Sequence, residues 1–141
     1  MSSAAINIAI ENLFATAWGS TTPIRYDSVP FTIPTTSWVA LEVWDGAVNK
    51  ASLGKVALRR SYGTVFVTVS APVNTGSNAA RVLADSVIAV FRDKQVSGIT
   101  FIDSNIRRLG EALVVGTGAV SGTTQWYQVV VSVPFFHDAV I

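Results

Sequence analysis

The residues able to do chemistry are few. His137 is the sole histidine and stands beside Asp138, four residues from the C-terminal Ile141. A His–Asp pair can orient a general base or fix a metal ligand. Neighbours in an extended tail point to opposite sides, however, and terminal residues are often mobile. The pair therefore reads as a surface tail. A Ser–His–Asp site would also need a presented serine, and no G-x-S-x-G elbow occurs. Gly116 and Gly118 make a lone G-x-G. A dinucleotide fingerprint needs a third glycine at a helix opening, and a phosphate loop needs Gly-Lys-Ser/Thr. Here the glycines run on to Gly122 and then into a strand pattern, which reads as a loop tip. With no cysteine, thiolate zinc sites, iron–sulfur clusters, thiol nucleophiles and disulfides all fall away. Acidic residues are scattered, and Asp45 and Asp103 stand where turns favour aspartate. The expectation is no enzyme, no metal and no cofactor.

What remains is chemistry of recognition. Arg59-Arg60 and Arg107-Arg108 are the only paired positive charges. Each doublet, placed in a strand, sends one guanidinium to either face. The partner is then a carboxylate of a neighbouring subunit, DNA passing nearby, or water, and arginine is enriched at interface hot spots. Glu42 lies between Trp38 and Trp44 on one strand face, either as an exposed carboxylate or as an intersubunit salt-bridge partner. Arg59, Arg60, Arg107 and Arg108, with Glu42 and Asp45 as opposites and Trp44 beside them, form the candidate subunit interface. Trp38, Trp44 and Trp126 carry a shared ambiguity, since tryptophan on a sheet is core more often than contact.

The elements that must position these residues begin with composition. The chain has 141 residues, a length that fits one domain. Charged residues make up 13%, well below the usual ~25%, and mean hydropathy is +0.44. The formal charge of +1 argues against a dedicated nucleic-acid binder. A membrane-spanning helix would need ~20 apolar residues in a row. The best run, Val129 to Phe136, is too short and contains Pro134. No basic n-region opens the chain, so a signal peptide is not expected either. The expectation is a soluble, cytoplasmic chain that buries its apolar surplus by oligomerising.

Apolar residues Ile6, Ile10, Leu13, Phe14 and Ala17 recur at helical spacing, predicting a helix from Ser2 or Ser3 to Trp18, stopped by Gly19. Residues 20–37 hold Pro23, Pro30 and Pro34 and read as an extended arm anchored by Ile24, Val29 and Phe31. Alternation predicts a strand over 38–44, ended by Asp45-Gly46, and a hairpin of 55–61 with 64–71 about Tyr62-Gly63. A second helix, capped by Ser77 or Asn78, carries the stripe Leu83, Ala84, Val87, Ile88 and Phe91. Short strands follow at 99–102 and near 111–115, with a turn at 103–105 and a glycine-rich tip at 116–122. The longest strand, 124–135, closes the pattern. Helices separated by runs of period-two strands imply an α+β fold: one domain, a mostly antiparallel sheet and two helices packed on it.

The order of these features resembles the bacteriophage tail terminator family, the class that includes the lambda minor tail protein U. The arm Thr22-Pro23-Ile24-Arg25-Tyr26-Asp27-Ser28-Val29-Pro30-Phe31 carries the resemblance first, then the strand Ser37 to Val43. The segment Arg59-Arg60-Ser61-Tyr62-Gly63-Thr64 with its following helix, and the closing Gln125-Trp126-Tyr127-Gln128 run ending Val133-Pro134-Phe135, complete it. The resemblance implies a structural protein without chemistry of its own. It implies a ring, of six subunits in the usual case, that caps the head-proximal end of the tail tube. Such a ring halts tube polymerisation and offers its other face to the head–tail connector protein, with DNA met only in the lumen. The implied partners are thus copies of itself, the tail tube protein and the connector. The implied location is host cytoplasm during assembly and then the virion tail. The competing reading is a small peptide- or ligand-binding module that uses the tryptophan-bearing sheet face.

Overall fold

In the computed structural model, residues 3–50, 58–73, 77–114 and 124–140 are described. Helix α1 (Ser3–Trp18) turns Ile6, Ile10 and Phe14 of the expected stripe inward, with Leu13 half-buried, while Ala17 is exposed and Trp18 is buried in its stead. Ser2, one candidate cap, lies outside the described residues, and Ser3 is itself the first helical residue. Its Oγ donates to Asp45 Oδ2 at 2.7 Å, which ties the helix start to the sheet. At the other end Gly19 takes φ 59, and its N–H reaches the Ala15 carbonyl at 3.0 Å. This is the left-handed stop expected of glycine there. Trp18 Nε1 then donates to Thr22 Oγ1 at 3.0 Å and turns the chain into the arm.

Seven strands form one sheet: β1 (Ile24–Tyr26), β2 (Trp38–Lys50), β3 (Leu58–Pro72), β4 (Gln95–Val96), β5 (Ile99–Phe101), β6 (Asn105–Val114) and β7 (Thr124–Val140). Strand order is β1-β2-β3-β7-β5-β4, with β6 also beside β7. All pairings are antiparallel except β1 with β2. Helix α2 (Ser77–Phe91) packs beside α1 on the same sheet face, burying Ala80, Ala84, Val87, Val90 and Phe91. Arg81, Asp85 and Arg92 stay on its wet side. The α+β architecture expected from the two periodicities is the one formed.

The core lies between the helices and one sheet face, where Val39, Leu41, Val65, Val67, Val69, Val129, Val131 and Val133 are buried. A ladder of rings crosses it. Phe14 stacks on Trp18 at 5.2 Å and on Phe91 at 5.8 Å, and Phe91 meets Phe101 at 5.0 Å. Such pairs contribute ~0.5–1.5 kcal/mol each beyond their buried area.

Several expectations are corrected. Tyr62-Gly63 is no turn, because β3 runs unbroken through it. Gly63 lies opposite Asp45 on one side and Phe135 on the other, and the Phe135 ring occupies the space a side chain would need. The glycine marks a close approach rather than a bend. Asp45-Gly46 likewise does not end β2 but begins a bulge, with the register shifting between Asp45 and Val48. Ile24–Tyr26 of the arm joins the sheet as β1, and Phe31 rests on Trp38 at 5.3 Å, whereas Val29 is exposed and anchors nothing. β6 begins at Asn105, earlier than expected, and places Arg107 and Arg108 within a strand. His137 and Asp138 are not a surface tail. β7 continues to Val140 between β3 and β5, and His137 is buried there. The hairpin arm at 55–57, Val115 and the glycine-rich tip at 116–122 lie outside the described residues.

Candidate functional site

Register decides where each arginine goes. Arg59 pairs with Ala139 and Arg60 with Asp138, so the doublet splits between the two faces. Arg60 is held within the chain: its Nε and Nη2 donate to Asp138 Oδ1 and Oδ2 at 2.7 and 2.9 Å. The guanidinium also lies 4.4 Å from the centre of the Phe136 ring. This bidentate contact holds the Asp138 carboxyl below its ordinary value, with burial opposing, and pushes Arg60 higher still. The pair fastens the last residues of β7 to β3. Sequence separation hid it, since the partners are 78 residues apart.

Arg107 and Arg108 split in the same way. Arg107 pairs with Val130 on the face away from the helices, hereafter the open face. Arg108 pairs with Val129 on the helix-bearing face, its guanidinium 5.7 Å from the Tyr127 ring. Both arginines are exposed, as are Ile106 and Leu109 beside them. A register shift between Arg108 and Gly110, with Gly110 at φ 84, sets Leu109 off the ladder.

The acidic candidates sit across the sheet on β2. Glu42 Oε2 accepts from Trp44 Nε1 at 2.9 Å on the open face, and the Trp44 ring meets Phe66 edge-on at 5.5 Å. Trp44 nevertheless remains 59% exposed, which separates it from Trp38 and Trp126, both buried. Those two pack edge to face at 5.9 Å on the open face. Asp45, on the other face, receives the Ser3 hydroxyl. The structure thus brings Arg60 to a carboxylate of its own chain. It leaves Arg107 and Arg108 on one side of the sheet and Glu42, Trp44 and Asp45 on the other.

The open face also carries a groove of about 620 Å³ between the arm and the sheet. Trp38, Ala40, Thr68 and Gln128 floor it, Val29 and Pro30 of the arm wall one side, and Leu109 of β6 borders it too. Burial, with Glu11 nearby, raises the Tyr26 hydroxyl above its usual value at the groove's margin. Among the described residues no cluster of three His, Cys, Asp or Glu side chains could hold a metal ion. His137 Nδ1 has no hydrogen-bond partner there either. No helix among them is long and apolar enough to cross a membrane.

The described residues form a curled, mostly antiparallel sheet with two helices on one face, and its exposed charged and aromatic side chains stand near two edges of that sheet. The model of the phage tail terminator protein family matches residues 3–135, and the chain belongs to that family. No curated protein matches it in sequence. A solved structure shares the fold at TM-score 0.60 and 18% identity, covering 99% of this chain and 96% of its own. Membership assigns a role in phage tail termination and places the chain among virion tail components that meet other tail and head proteins.

Proposed function

We propose that this protein caps the head-proximal end of the tail tube as a closed ring of, most simply, six subunits. The ring stops tube polymerisation and presents its far side to the head–tail connector protein, carrying no catalysis. The family match over nearly the whole chain carries this reading. Arg59, Arg107, Arg108, Glu42, Asp45 and Trp44 supply the charged and aromatic contacts between subunits, Arg60 being engaged by Asp138 of its own chain, and the ring lumen is where DNA is met. Subunits join the ring after synthesis in the host cytoplasm and remain in the virion tail. The test is electron microscopy of tails assembled without this protein. Overlong tubes are the expected result, and tails of normal length would refute the proposal.

A second reading rests on the groove. Trp38, Ala40, Thr68 and Gln128 give it an apolar floor with polar side chains at hand, which suits an extended peptide. Chemical-shift changes confined to groove residues on adding tail tube or connector peptides would favour it.

A further inference from the structure

We propose that successive subunits join edge to edge, the β2 edge of one pairing with the β6 edge of the next, so that the sheet runs on from chain to chain. The proposal rests on the ring reading above and names the surface that builds it. Strand β1 covers β2 only at Val39, Ala40 and Leu41. From Glu42 onward the outer edge of β2 is unpaired among the described residues, and so is the outer edge of β6. Unpaired edges carrying exposed apolar groups are templates for another strand. Here one such edge bears Trp44 and the other Ile106 and Leu109, all exposed.

Charge selects the occupant. The β2 edge carries Glu42 and Asp45 with Lys50 at its far end, and the β6 edge carries Arg107 and Arg108 with Glu111 beyond them, so acid prevails on the first and base on the second. A like edge repels itself and the opposite edge attracts, which favours a head-to-tail contact between copies over a two-fold one. The faces agree as well. Glu42 lies in line with Phe66, Ser132 and Asn105, and so shares the open face with Arg107. Asp45 lies in line with Gly63 and Phe135, on the helix-bearing face with Arg108. Each acid therefore finds its arginine on the same side of the joined sheet.

Direction agrees too. β2 runs with β7 and β6 runs against it, so a rotation carrying one sheet onto the next brings the edges together antiparallel. Glu42 and Leu109 both border the groove on the open face. A head-to-tail contact repeated by one rotation without a rise closes a ring, and the same contact with a rise draws a filament.

Because the chain has no cysteine, thiol crosslinking reads this contact directly. W44C combined with N105C, both on the open face, treated with a short bismaleimide on assembled tails, is expected to yield a ladder of covalent multimers, with neither single variant crosslinking. Dimers from a single variant, or no ladder on tails of normal length, would overturn edge pairing while leaving the capping role intact. Unchanged tail length in the absence of the protein would overturn the capping role itself. In parallel, R107E is expected to lower the yield of capped tails about tenfold and E42R in the same chain to restore it. Capping unchanged by R107E in a normally folded chain refutes the contact.

Discussion

Replacing Gly63 with alanine tests the central feature of the sheet. A Cβ there would stand 2.7 Å from the Trp44 carbonyl oxygen, 2.8 Å from Phe135 Cε1 and closer still to Phe135 Cζ. The ring can swing, at the cost of its seat beside Phe101. The carbonyl belongs to the β2 backbone and cannot retreat without disturbing the ladder from Asp45 to Trp38. Overpacking of this kind costs about 1–3 kcal/mol. For a domain of this length each kcal/mol moves the melting temperature by roughly 3–5 °C, so G63A is expected to melt about 3–15 °C lower. G63V should fall further. Thermal unfolding followed by circular dichroism measures it, with G19A as a comparison in which nothing lies within 4 Å and the cost is backbone strain alone. Combining G63A with F135A supplies the inner control. Removing the ring removes part of the clash, and the double variant should lose less than the sum of the singles. If G63A melts with the parent protein, the ring is not seated over Gly63 and the segment is the turn its sequence suggests.

Phe14→Ala, at the centre of the ring ladder and fully buried, should cost about 3–5 kcal/mol in denaturant unfolding, whereas the exposed Ile8→Ala should leave the midpoint in place. The Asp138 carboxyl is held low by Arg60 in the folded chain. Its contribution is therefore complete above the ordinary aspartate value near ~4 and drains away as pH falls through the lowered one. Melting temperature against pH should show that acid limb, and D138N should flatten it. Alanine at both Arg107 and Arg108 should leave melting unchanged, because both are exposed, yet abolish tail capping. Normal capping by that variant would return the arginines to ordinary surface.

Wherever one face of an element meets one environment, its fate was legible in the chain. The stripe Ile6, Ile10, Phe14 and the alternation Val65, Val67, Val69 are periodic because each repeat faces the same core. Gly19 was legible as a stop because only the local left-handed turn is needed there. The split of both arginine doublets followed from strand geometry alone. Gly63 and Asp45-Gly46 misled because glycine answers to two causes, a bend in the chain or a neighbour that leaves no room. Only the ring of Phe135, brought from 72 positions away by the β3–β7 register, tells them apart.

The amino-acid order by itself determined the two helices, the strand-rich remainder, the absence of thiol chemistry and the low share of charged residues. These are local properties of composition and period, and they survive any packing. The tertiary structure decided which charges are free. It carried Asp138 alongside Arg60 and buried His137 in a central strand, so the residues with most apparent chemistry became internal fastenings. It also set Glu42 and Asp45 near one edge of the sheet and Arg107 and Arg108 on another. Strand order and register are long-range pairings between segments that carry no mutual mark in the chain, and they alone convert scattered charges into two opposed edges.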